Sequence, residues 1–392
     1  MNVIVGGGVI GLSVAWRLAR EGLPVTVVDP APARGASHAA AGMLAPVSEV
    51  SYTEEPLLRL GAASLGRWPA FADELAADAG LDEEFGGSGP GEAARRGLDL
   101  RADGTLDVAF GADDLAALDE LAAFMDKLGL RVERLTGREC RRLEPMLAPS
   151  VRGGLLAPGD AWVDPRRVTA ALLAALDRLG VPLVRARAAG LLRDGETVTG
   201  VRLDPAPGVA ARELAAERVV LAAGAWSGEL AGVPVRPVKG QIMRLRSPQP
   251  LLGRCVRGTV HGAPVYLVPR GDGELVLGAT QEELGFDTRV TAGGLHELLR
   301  DARELVPGVT ELEVADVVAG LRPGTPDNLP LIGAGEAPGL VLATGHHRGG
   351  VLLAPLTAAL VTAGLSPGAE ILTGEEGELA ELCSPARFRE IS

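Results

Sequence analysis

An α/β protein carrying a second, more antiparallel lobe is what this sequence predicts, and three observations predict it. The first thirty residues alternate strand, glycine turn, helix and strand. Short β-rich segments recur over 181–220 and 234–279, the second bounded by Gly and Pro. Helical apolar spacing recurs elsewhere, and alternation of strands with helices goes with a largely parallel sheet. The 392 residues exceed one ordinary core and fit two, and 47% hydrophobic content suffices to fill both.

In chain order, NVIV at 2–5 reads as a strand, GGGVIG at 6–11 as a turn, and Leu12, Ala15, Trp16 and Ala19 as one face of a helix. PVTVV at 24–28 is the next strand, which completes a βαβ unit. Leu57, Leu60, Leu65, Trp68, Phe71 and Leu75 predict a helix over 56–79, followed by a loop at 86–91, GGSGPG. Further helices are expected over 112–129 and 166–180. The second opens with Asp164 as an N-cap acceptor and Pro165 at the first helical position. A helix over 295–305, a strand over 340–344 and a closing helix after Gly350 end the pattern. No internal repeat interrupts it.

Lys+Arg 38 against Asp+Glu 51 leaves a net charge of −13, a field that repels nucleic acid and anionic lipid headgroups. Neither is an expected partner. The opening strand carries no basic leader or apolar signal core, so a cytoplasmic location is expected. The apolar stretch 352–365 is interrupted by Pro355 and too short to span a bilayer. Cys140, Cys255 and Cys383 lack any metal or redox spacing and read as structural thiols. Only Lys127 and Lys239 are lysines, so a single Arg carries weight through its motif alone.

Gly6, Gly8 and Gly11 form GxGxxG between strand and helix, the context that motif requires. Gly6 makes the tight turn, and Gly8, Val9 and Ile10 bring the helix N-terminus to a pyrophosphate. Gly11 lets helix and strand pack closely. Asp29 closes the second strand where a carboxylate meets ribose hydroxyls. This Rossmann-like unit satisfies FAD and NAD equally.

The choice between them comes from other segments. RGASHAAAGMLAP at 34–46, VVLAAGAWSG at 219–228, GLRPGTPDNLPL at 320–331 and GHHRGGVLLAP at 345–355 join GGGVIG in one order along nearly the whole chain. Together they resemble the D-amino-acid oxidase superfamily, and within it the glycine oxidases associated with thiamine biosynthesis. The resemblance implies a Rossmann-like FAD-binding domain (1–88, 150–228 and 317–392) and an antiparallel-sheet substrate domain (89–149 and 229–316). It also implies non-covalent FAD, since Gly320 stands where sarcosine oxidases place a flavin-linking Cys.

Implied cofactor contacts are Ser37, Ala40, Ala41, Gly42 and Met43 along the phosphates and ribityl chain, Ala188, and Ala223, Gly224 and Trp226 under the ring system. His346, Arg348, Gly349, Gly350, Val351 and Leu352 follow at a turn whose amides face the flavin. His346 divides between cofactor proximity and a structural hydrogen bond. Arg322 is implied as the guanidinium that grips a substrate carboxylate, with Tyr266 joining it and Arg348 near substrate and flavin.

The implied reaction is oxidation of glycine or a similar small amine at Cα by hydride transfer, giving an imine or α-keto acid, with dioxygen reduced to hydrogen peroxide. Glycine would give glyoxylate. A homo-oligomer is implied as well. A D-amino acid or sarcosine dehydrogenase using another acceptor is the alternative enzyme, and a nucleotide-binding scaffold without turnover the alternative of another class. Residues 83–96 read as an insertion relative to glycine oxidases, and Gln281 replaces an expected apolar side chain.

Overall fold

The computed structural model describes residues 1–85, 91–210, 212–366 and 373–388. The predicted loop at 86–91 and the insertion over 83–96 therefore lie partly outside the described residues.

β1 (Asn2–Val5), α1 (Val9–Arg20) and β2 (Val25–Val28) form the expected βαβ unit, with β1 and β2 parallel and buried along their length. Full burial on both faces explains why Val and Ile dominate them, with Asn2 and Thr26 the exceptions. β1 lies at the heart of a six-stranded sheet, flanked by β2 and by Arg218–Leu221. Leu340–Thr344 pairs parallel beyond Arg218–Leu221, and Leu331–Ala334 closes that edge antiparallel. α1 covers one face with Leu12, Ala15, Trp16 and Leu18 buried. Glu55–Ala79 packs over the same core, Phe71 meeting Trp16 edge-on at a centroid distance of 5.1 Å.

The second sheet has eight strands and is antiparallel except where Cys255–Val260 runs parallel to Thr105–Ala109. Arg236–Arg246 and Glu313–Gly324 are its longest strands and pair antiparallel. Gly153–Ala157 belongs to this sheet, and Glu313–Gly324 crosses residue 317, so two expected domain boundaries fall within the strand set of one sheet. The helix expected over 166–180 is Pro165–Arg178, and the Asp164 carboxylate accepts from the Arg166 amide at 2.9 Å as its cap.

The carboxyl ends of β1, β2, Arg218–Leu221 and Leu340–Thr344 open toward a face of the eight-stranded sheet. That is where an open parallel sheet binds ligands. A cavity of about 1520 Å³ fills the space between them.

Candidate active site

The cavity starts at the glycine turn. Gly6 has φ +114°, a region L side chains avoid, and a Cβ there would run into the Ala222 carbonyl. Gly8, Val9 and Ile10 line the cavity at the start of α1, whose first turn holds no acid. The exposed amides and partial positive charge of a helix N-terminus suit an anion there. Asp29 lines the cavity beside them, its carboxylate accepting from the Gly7 and Ala31 amides at 2.7 Å each. Gly7, absent from the sequence expectation, thus helps to fix the Asp29 carboxylate. Gly11 does not line the cavity; it packs against the Gly6 carbonyl, which is the close helix-to-strand approach expected of it.

Ser37, Ala40, Ala41, Gly42 and Met43 run along one wall. Ser37 Oγ accepts from the Val9 amide at 2.9 Å, so this hydroxyl also caps α1, where Gly8 has no side chain to do so. Gly42 has φ +82° and lies against the Val163 carbonyl. Arg270, buried in the eight-stranded sheet, donates to the carbonyls of Ala41 and of Val163, the latter at 3.0 Å. The opposite wall carries Ala188, Ala223, Gly224 and Trp226. Trp226 is 39% exposed and stacks on Phe286, 5.7 Å between centroids.

At the far end Tyr266 and Arg322 meet. Tyr266 sits on Ala263–Pro269 directly opposite Gly278, and a Cβ at Gly278 would strike the phenol ring and hydroxyl. Arg322 lies on Glu313–Gly324, its guanidinium resting over Gly240 of the paired strand. Nη1 donates to the carbonyls of Lys239 (3.3 Å) and Thr280 (3.2 Å), and Tyr266 lines the same cavity. Burial pushes the Tyr266 hydroxyl up to about 12, opposed by the Arg322 charge and reinforced by that of Glu49. It is a neutral phenol donor across the working pH range. Arg257, directly across from Tyr266 on Cys255–Val260, also lines the cavity and pairs with Asp107 at 3.3 Å.

The chain is similar to known proteins over most of its length. The family model for FAD-dependent oxidoreductases of the DAO type matches residues 2–363. The chain belongs to that family. The oxidoreductase is 36% identical over 366 residues to the glycine oxidase of Geobacillus kaustophilus, covering 91% of this chain and 90% of that protein. It is 34% identical over 369 residues to the bifunctional protein ThiO/ThiG of Trichormus variabilis, covering 92% of this chain and 51% of that one. The chain thus spans about half the length of the bifunctional relatives it matches. The crystal structure of the Geobacillus kaustophilus glycine oxidase superposes with a TM-score of 0.81 at 34% identity, over 94% of this chain and 96% of that one.

The oxidoreductase's cavity fits FAD on its own geometry. Its volume exceeds the roughly 300–1,000 Å³ of a small-ligand pocket. Glycine backbone at Gly6, Gly8 and Gly42 lines the path from Asp29 toward Tyr266, where side chains would block close approach. Gly320 lines the cavity too and packs on Ala39. Cys140, Cys255 and Cys383 are all buried, and burial pushes their thiols up to about 11, 12 and 12, which makes them inert packing residues.

The GHHRGG turn is split by the structure. His346, Arg348, Gly350 and Val351 line the cavity, and Gly349 and Leu352 do not. Leu352 instead faces Glu55–Ala79, its carbonyl accepting from Ser64 Oγ (2.7 Å) and Trp68 Nε1 (3.0 Å). The Arg348 guanidinium donates to the Glu54 carboxylate, which Asn328 and Ser51 also hold, and to the Glu49 carbonyl. His347 was missed by the sequence expectation; it lines the cavity, and burial together with Arg348 and Arg322 pushes it down to about 4. Gln281 sits exposed at the rim.

His346 Nε2 lies 2.9 Å from Thr357 Oγ1, and burial pushes the imidazole down to about 3. It stays neutral in the folded protein, while an unfolded histidine titrates near 6.5. Between these values the unfolded chain binds the extra proton, so stability present above pH 6.5 is lost as pH falls. Wild type should lose about 2 kcal/mol more than His346→Asn between pH 6.5 and 5. Denaturant titrations at both pH values check this, and identical slopes for the two proteins would refute it.

Proposed function

We propose that the oxidoreductase oxidises glycine, or a similarly small α-amino acid or amine, at Cα to an imine that hydrolyses to the α-keto acid, serving thiamine thiazole synthesis. The observation that carries this reading is the Arg322–Tyr266 pair at the inner end of a dinucleotide-sized cavity. Arg322 presents a planar guanidinium fixed by two carbonyls, which suits bidentate pairing with a carboxylate. Tyr266 adds a neutral O–H donor to the same anion. Arg348 acts by holding the Glu49 and Glu54 wall through its contacts there.

Bound FAD supplies the two-electron acceptor, with dioxygen as the proposed final oxidant. Orientation and exclusion of water are the protein's share of the rate. The names of the glycine oxidase relatives support the substrate class. The division into a cofactor lobe and a substrate lobe, cytoplasmic location and homo-oligomeric assembly belong to the same proposal and rest on that likeness. No described helix is long and apolar enough to cross a membrane.

The test is an absorption spectrum of the purified yellow protein before and after anaerobic addition of glycine, sarcosine and a D-amino acid panel. Glycine should bleach the flavin band, and air should restore it. Bleaching that persists in air replaces dioxygen with another acceptor. A band unchanged by every amino acid in the panel would overturn the proposal.

A further inference from the structure

Glu49 presents to the cavity a carboxylate that no described residue hydrogen-bonds or ion-pairs. It follows the short strand Met43–Leu44 in a turn pinned from two sides. The amides of Val47 and Ser48 donate to the buried Asp160 carboxylate at 3.2 and 3.1 Å, and the Glu49 carbonyl accepts from Arg348 at 3.4 Å. The backbone is therefore held. Among the described residues the Glu49 carboxylate has no hydrogen-bond or ion-pair partner, although it lines the cavity together with Tyr266, Arg257, Arg322 and Arg348.

The neighbouring cations are engaged elsewhere. Arg348 pairs with Glu54, Arg257 with Asp107 although its Nη1 has no hydrogen-bond partner among the described residues, and Arg322 with two carbonyls. Glu54 is saturated by Arg348, Asn328 and Ser51, so the two acids of this turn are not equivalent. A partly buried acid left without a partner gains from a ligand that brings a compensating donor. A guanidinium with a phenol donor and a lone carboxylate are together the complement of a zwitterion.

We propose that Glu49 accepts a hydrogen bond from the substrate's amino group, and so selects α-amino acids over acids that lack an amine. The proposal rests on the reading of Arg322 and Tyr266 as the carboxylate site. Two anchored ends leave Cα with one direction to present, so Glu49 serves orientation as well as selection.

The experiment compares wild type, Glu49→Gln and Glu49→Asp, each loaded with FAD. Glycine is the amine-bearing ligand, and acetate and glycolate are carboxylates without an amine, their binding followed by perturbation of the flavin absorption band. Glu49→Gln should raise KM for glycine tenfold or more while the Kd for acetate and glycolate changes less than threefold. Glu49→Asp should fall between the two. Equal shifts for glycine and acetate, or no shift for either, overturn the role of Glu49 alone. Wild-type protein that oxidises no amino acid overturns this inference and the proposed function together.

Discussion

Arg322→Ala should lower kcat/KM for glycine by about 2–5 kcal/mol, roughly 30- to 5,000-fold, the range for truncating one member of a buried charge pair. The loss has two sources. The carboxylate forfeits its bidentate partner, and it enters a cavity where the uncompensated charge is poorly solvated. The fold itself should survive, because Arg322 stands near the end of a twelve-residue strand whose ladder to Arg236–Arg246 is made by backbone. The Lys239 carbonyl keeps the Glu282 amide as a donor at 3.0 Å, and Thr280 lines the cavity. Steady-state kinetics on yellow, folded variant provide the check. Values within about threefold of wild type would remove Arg322 from the site.

Gly240→Val is the second large effect, and it reaches the same chemistry from a residue that contacts no substrate in this scheme. A Cβ at Gly240 would occupy the place of the Arg322 guanidinium, and that atom group is the free end of a flexible side chain. The strand therefore accommodates valine, a residue that suits extended backbone, while the guanidinium is pushed off its two carbonyls. KM for glycine should rise 10- to 100-fold with little change in Tm or in flavin content. A fall of Tm by more than about 3 °C, which corresponds to more than about 2 kcal/mol in a chain of this size, would mean that Gly240 serves the fold and not the position of Arg322.

Much of the architecture was legible because it is local. The βαβ unit, the helix Glu55–Ala79 and the cap at Asp164 are written in periodicity, glycine placement and a single acceptor followed by proline. Tyr266 and Arg322 could be singled out by resemblance, and the structure places both in the lining of one cavity. Gly240 and Gly278 could not, because each is a notch for a side chain on another strand, and strand-interior glycine says only that something approaches. Glu49 was hidden for a related reason: its significance is the absence of a partner, which no linear pattern encodes.

The closing segment is one correction. GHHRGGVLLAP reads as one continuous contact segment, yet the chain turns through His347–Gly349 into Ala354–Leu365, so successive residues face opposite directions and Leu352 joins the core beneath Glu55–Ala79. Trp226 was expected beneath the cofactor; it lines the cavity but spends much of its surface stacked on Phe286 near the rim. Gln281 sits at the same rim, so the polar side chain that departs from the expected pattern meets solvent instead of narrowing the inner end.

Arg270 directly follows Ala263–Pro269, the strand that carries Tyr266, and its guanidinium grips the carbonyls of Ala41 and Val163 beside the glycine-lined wall. A movement of that wall when the nucleotide arrives must therefore drag the strand that carries the phenol. Loading and substrate recognition are geared to one another, and an emptied protein should lose its discrimination between amino acids before it loses its fold.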